Sequence, residues 1–336
     1  MRTRNRVWRI RGIAFAVSVA SAFALAGALR ADPSGAIQTA QRQITAGNYS
    51  AAISTLQAAV PGNPSSAELF YWLERAYYEV RDWDSSVAQG EKAISLDPKN
   101  SLYHQWLGRA YGGKADRDRS FSMAKKVKSE FKQAVELNPS NVEARRDLEE
   151  YCLDAPWIAG GSKDEALEQV NAIAAVDPVA GHLAKALYQH EGVKNNDEAE
   201  KELQQVLAAK PKTADPYFEV ADFYRQLNKP ADINAALDAA AKVSANDPRL
   251  AYYRGVASVL GNSDLPEGER DLKSYLASTP DRSDWPAHAS AREWLGRLYE
   301  LQGKRADAAE QYREALQLEP KRKEAKNRLE KLEKSQ

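Results

Sequence analysis

Arg75 and Arg109 stand 34 residues apart in a chain of 336, each with polar or aromatic neighbours about one helical turn away. Tyr71 and Tyr78 flank the first, and Gln105 precedes the second. A guanidinium offers its N–H donors as a planar fork, which a carboxylate meets with two parallel bonds. Two such forks beside phenol rings suit a carboxylate or an acidic, extended segment. The plainer alternative is that all five are ordinary solvated positions. Catalytic chemistry has weaker footing. His104, His182, His190 and His288 contain no i, i+4 ligand pair, and His190-Glu191 lacks the second histidine that a zinc-protease helix requires. There is no G-x-S-x-G and no phosphate-cradling glycine loop. The single cysteine, Cys152, rules out a disulfide within the chain and a cysteine zinc site. No catalytic residue, metal or cofactor is expected, and an enzyme or carbohydrate-acting protein is the last of three readings.

The elements that would position these side chains are clearest in Ala289–Arg322. Trp294, Leu295, Leu298 and Tyr299 recur at helical period, Gly303 supplies a left-handed turn, and Ala308, Tyr312, Ala315 and Leu316 form a second stripe that Pro320 ends. Gly296, Ala308 and Ala315 are small enough for two helix backbones to approach closely. The positions Leu295, Gly296, Tyr299, Ala308, Tyr312, Ala315 and Pro320 resemble the tetratricopeptide repeat, a 34-residue helix–turn–helix with large and small residues at set offsets.

The same pattern recurs along the chain. Pro64, Pro98, Pro139, Pro178, Pro211, Pro248, Pro280 and Pro320 mark ends of successive hairpins at spacings of 32 to 41 residues. Phe70, Leu73, Ala76 and Tyr77 make one buried face, and Trp106-Leu107-Gly108 with Tyr111 makes the next. Two insertions are read, an enlarged turn near 112–120 and an apolar loop near 154–161, where Ser162 and Glu165 form a capping box. Trp157 and Ile158 at that loop's tip either tuck onto a neighbouring hairpin, the commoner outcome, or dock on a partner. Cys152 reads as a buried thiol. The basic run within Lys114–Lys132 reads as a solvated helix face, with contact to anionic lipid or another acidic surface as the alternative. Lys323–Lys334 carries Ala325, Leu329 and Leu332 on one stripe, as a terminal cap needs.

The resemblance implies an all-α, right-handed superhelical solenoid of about eight hairpins with a C-terminal capping helix, over residues 32–336. It also implies a concave surface, built by the first helices of successive hairpins, that binds proteins or peptides. Tyr71, Arg75, Tyr78, Gln105 and Arg109 would line it, with Arg75 and Arg109 stacked in adjacent repeats. The chaperone-binding subclass uses a clamp rich in Lys and Asn, and this chain has Tyr71 and Arg75 there instead.

Charge separates the amino terminus from the rest. Lys plus Arg and Asp plus Glu both total 47, but residues 1–31 hold six arginines and no acid, leaving a body of net charge −6. An acidic body argues against general nucleic-acid binding. Five arginines in the first eleven residues, the uncharged run Gly12–Leu29 and Ala26-Gly27-Ala28 are the parts of a secretory signal peptide. An uncleaved anchor is the alternative, since eighteen residues reach the lower limit of a span. The expectation is therefore an exported scaffold for protein–protein interaction, secreted or periplasmic, or else an assembly factor anchored in the inner membrane and facing the periplasm. Membrane contact is expected only if the amino-terminal segment stays.

Overall fold

A computed structural model describes residues 33–334. The signal-peptide or anchor segment lies outside the described residues. Among the described residues seventeen α-helices follow one another with no strand. They pair as eight hairpins: α1 (Ser34–Thr45) with α2 (Tyr49–Ala59), α3 (Ala67–Glu79) with α4 (Trp83–Leu96), α5 (Ser101–Asp118) with α6 (Phe121–Leu137), and α7 (Val142–Asp154) with α8 (Lys163–Val176). The second half repeats this with α9 (Pro178–Leu187) and α10 (Asn196–Ala209), α11 (Asp215–Gln226) and α12 (Pro230–Val243), α13 (Arg249–Gly261) and α14 (Leu265–Ser278), and α15 (His288–Leu301) and α16 (Arg305–Leu318). A single helix, α17 (Lys323–Lys334), closes the ladder with Ala325 buried and Leu329 and Leu332 packed on the core. None of the described helices is long and apolar enough to cross a membrane.

Each hairpin forms because its two apolar stripes bury against one another. Gly108 faces Phe131 so closely that an added Cβ would lie 2.5 Å from the ring, and Gly296 faces Tyr312 in the same way at 2.6 Å. Contact at that range needs a residue without a side chain. Ala308 and Ala315 are fully buried, as close backbone approach demands. Helix starts are capped by Ser66, Asp82, Asn100, Ser120, Asn141 and Ser162, each accepting a backbone N–H from its own first turn. Gly303 is left-handed, with φ of 74°.

Successive first helices touch one another along the whole array, from α1 and α3 through to α13 and α15. Each first helix also packs on the second helix before it, whereas successive second helices make no comparable contact, which places the first helices on the inner side of the curve. Three details differ from the sequence reading. Residues 112–118 are no loop: they lengthen α5, and only Arg119 and Ser120 make the turn. Gly113 packs against the Trp83 ring, and Lys114 pairs with Asp118 one helical turn on, so the helix continues through two glycines. Pro178 opens α9 rather than ending α8, with Asp177 as its cap. The capping box is half made: Ser162 accepts the Glu165 N–H, but the Glu165 carboxylate turns to Lys128 at 2.7 Å.

Candidate functional site

The concave side holds a cavity of about 840 Å³ walled by α3, α5 and α7. Trp106 is part of its wall. The Arg75 guanidinium lies 3.7 Å from the Trp106 ring centroid and 5.1 Å from that of Trp72, and Arg109 lies 4.8 Å from Trp106. The 34-residue offset therefore does bring the two arginines together, through a tryptophan between them. Tyr78 meets Trp83 and Trp106 edge-on, at 5.1 and 5.5 Å.

The five expected groove residues divide into two sets. Arg75, Tyr78 and Arg109 line the cavity. Tyr71 and Gln105 are buried in its wall. The Tyr71 ring packs 5.1 Å from Tyr103, and its hydroxyl accepts an Arg75 N–H at 3.2 Å. Burial pushes the Tyr71 hydroxyl pKa up, so it stays protonated. Gln105 donates to Asp147 at 2.7 Å and accepts from Asn141 at 3.1 Å. Both are supports for the arginines and not surfaces for a ligand.

The arginines also differ from each other. Arg109 donates to Asp147 at 2.8 Å, with Glu143 at 3.7 Å, and is thereby neutralised. Arg146 forms a two-bond pair with Glu219, at 2.5 and 2.9 Å, that reaches from α7 to α11. This bridge stands between the first cavity and a second of about 800 Å³. Arg282 pairs with Asp284 at 2.6 Å. Arg75 has no carboxylate partner among the described residues, and its Nε is buried without an acceptor. Trp72, Trp106, Asp147 and Arg146 were not part of the expected groove. The first two carried a usable signal, an aromatic one turn from each arginine.

The chain's own loop at 279–287 reaches the same cavity. Ser283 and Asp284 line both cavities. Ser283 donates its N–H and hydroxyl to the Glu79 carboxylate, at 3.0 and 2.8 Å, and Tyr49 donates to the Asp281 carbonyl at 2.7 Å.

Elsewhere the histidines are dispersed. His104 bonds Glu130, His182 bonds Glu202, His190 bonds Asn196 and His288 bonds Thr279, four separate places. Burial pushes the Cys152 thiol up to about 11, which leaves it unreactive at neutral pH. The 154–161 segment is a loop as expected, but its tip does not tuck in: Ala159 is buried, whereas Trp157 and Ile158 face solvent.

A family model for the tetratricopeptide repeat matches residues 37–101 and 258–323. Comparison with curated proteins finds no match. Among solved structures, the APC/C hetero-tetramer Cut9–Hcn1 is similar at TM-score 0.50 and 11% identity, over 92% of this chain. This chain spans 57% of the matched chain's length. A tetratricopeptide repeat protein from Parabacteroides merdae aligns at TM-score 0.46 and 13% identity, over 89% of this chain and 97% of that one. The MamA protein aligns at 0.40 and 18%, over 52% and 90%. Matched near both ends of one unbroken ladder of hairpins, the chain is a tetratricopeptide-repeat protein, of a kind that generally serves as a scaffold for binding proteins or peptides.

Proposed function

We propose that the protein is an exported scaffold that holds an extended partner segment along its concave side, with one carboxylate of that segment on Arg75. A single observation carries this reading: Arg75 is the one cavity-wall arginine without a carboxylate partner among the described residues, held between Trp72 and Trp106. The neighbouring cations are already neutralised, and Glu143 and Glu150 also face the cavity. A polyacidic partner would meet those acids. A terminal carboxylate, or one acidic side chain among apolar ones, fits better: the aromatic faces take the apolar part while the free fork takes the charge. Export rests on the amino-terminal arginines and the uncharged run Gly12–Leu29.

The test is crosslinking capture from the native envelope fraction with wild-type protein and Arg75→Glu, with circular dichroism as the folding control. Loss of captured partners by a folded Arg75→Glu variant is the expected result, and an unchanged partner set would remove the groove reading. Export is tested separately by the mass of the mature amino terminus, where a shortened chain supports a cleaved signal. The intact sequence together with a soluble cytoplasmic distribution would overturn export.

A further inference from the structure

The three most exposed large apolar side chains of the described residues are Trp157, Phe121 and Ile158, at 84, 61 and 54% of their full accessible area. They are not scattered. Trp157 and Ile158 form a 3-10 turn between α7 and α8, and Phe121 opens α6. Tyr151 fastens the two places together, its hydroxyl lying 2.6 Å from the Ala124 carbonyl and 2.7 Å from that of Ala159. Ala124 lies one helical turn beyond Phe121, so both are on the same side of α6. Lys128, one turn further, donates to the Gly160 carbonyl at 2.5 Å. The turn is thus pinned at its base while its apolar tip projects.

Lysines stand on the two helices beside that turn. Lys125 follows Phe121 by four residues and Lys163 opens α8. Both are exposed, and neither has a carboxylate partner among the described residues. Lys128 and Lys132 offset Glu165 between them. Asp154 and Asp164 are the acids nearest in sequence to the turn.

We infer that Phe121, Trp157 and Ile158, flanked by Lys125 and Lys163, form a docking point for an anionic lipid bilayer. A convex tip offers a folded partner no concavity to fill. A bilayer interface deforms around an inserted indole, which is amphipathic and favours that depth. Free ammonium groups beside it add attraction to anionic headgroups, about 1 kcal/mol for each lysine near the surface. This contact is independent of the groove, of export and of whether the amino-terminal segment is retained.

The experiment uses the full chain labelled with bimane at Ile158→Cys. The native Cys152 is buried and stays unlabelled. Vesicles carry brominated acyl chains in either phosphatidylcholine alone or phosphatidylcholine with 30% phosphatidylglycerol (roughly the anionic fraction that makes lysine attraction measurable). A Lys212→Cys label, on the distant exposed loop before α11, is the control for binding through the amino terminus alone. Quenching at 158 on anionic vesicles, with little at 212, is expected. Lys125→Gln with Lys163→Gln should lower the partition coefficient about thirtyfold, the equivalent of about 2 kcal/mol. Equal quenching at both labels, or none at 158, would overturn the inference. So would loss of a captured protein by Trp157→Ala with no lipid quenching at 158, which would assign the patch to a protein partner.

Discussion

Glu74 stands where the other well-formed hairpins place glycine. Leu73-Glu74 and Tyr77 follow the spacing of Leu295-Gly296 and Tyr299, and of Leu107-Gly108 and Tyr111. Opposite Gly108 and Gly296 lie the rings of Phe131 and Tyr312, but opposite Glu74 lies Gly90, against which the carboxyl is pressed. Large and small have changed helices. The exchange predicts strong coupling. Glu74→Gly leaves a hole, Gly90→Phe overfills the site, and the double variant recreates the Gly108–Phe131 pairing. Each single change should cost about 2 kcal/mol or more. The double should recover at least about 1 kcal/mol of their sum in urea unfolding. Purely additive losses would show that the two positions do not share one space.

Glu149 takes the same place in the fourth hairpin, after Leu148 and before Cys152. It is buried, and neither carboxyl oxygen has a hydrogen-bond partner. Burial pushes its pKa from the usual carboxylate range up to about 9, against a smaller opposing pull from Arg146. The folded state therefore holds this proton more tightly than the unfolded chain. Its contribution to stability is complete below about pH 4.5 and is lost as pH rises toward about 9. At pH 7 the loss is on the order of 3 kcal/mol. Glu149→Gln keeps the shape without the titration. Its melting temperature should match wild type near pH 4.5 and exceed it increasingly up to pH 9, and parallel curves would contradict a buried acid. Sequence alone did not expose either glutamate, because a carboxylate on a helix looks solvated until its neighbours are known. Arg75 was legible from its 34-residue offset to Arg109. The capture of Arg109 by Asp147 was not, since that partner lies 38 residues on and obeys no repeat offset.

At the scale of the element, the turns obey one rule with unequal signals. The left-handed conformation appears at Gly47 and Gly303, and equally at Arg81, Arg119, Asn228 and Asn262. Glycine and asparagine announce such a turn, whereas arginine does not, and the end of α5 was misread for that reason. Gly112-Gly113 looked like the break. The glycine at 113 instead makes room for Trp83, and the actual break falls at Arg119 with φ of 52°. A side chain at positive φ costs about 1 kcal/mol relative to glycine. Arg119→Gly, at an exposed position with no ion pair among the described residues, should therefore raise stability by about 0.5–1 kcal/mol. Gly303→Ala should lower it by a similar amount. Denaturant midpoints for the pair decide this, and the same sign for both would disprove the turn argument. The hairpins themselves were legible throughout because their signal is local, one apolar stripe against another within 34 residues.

The whole molecule carries a feature that no local period encodes: the array comes round on itself. Pro280 packs against Gly47, Tyr49 holds the Asp281 carbonyl and Glu79 holds Ser283. Arg81 pairs with Glu319 at 2.9 Å and Lys321 with Asp116 at 3.1 Å. These contacts join the first three hairpins to the last, across more than 200 residues. Superhelical pitch depends on small rotations at every hairpin interface, so their sum cannot be read from any one repeat. Individually the closing bonds are weak: exposed ion pairs are worth at most about 1 kcal/mol and neutral hydrogen bonds about 1 kcal/mol. Together they compete with the bending freedom of a structure whose units contact only their neighbours. A combined Tyr49→Phe, Glu79→Ala and Arg81→Ala variant removes three of the contacts and leaves every hairpin core intact. Its helicity should be unchanged while its radius of gyration in X-ray scattering increases and the 279–287 loop becomes open to protease. Because Ser283 and Asp284 wall both cavities, the same variant should also change how tightly the proposed groove holds a partner segment. If scattering and proteolysis match wild type, curvature comes from packing between adjacent hairpins alone, and the loop rests on the amino-terminal hairpins without holding them.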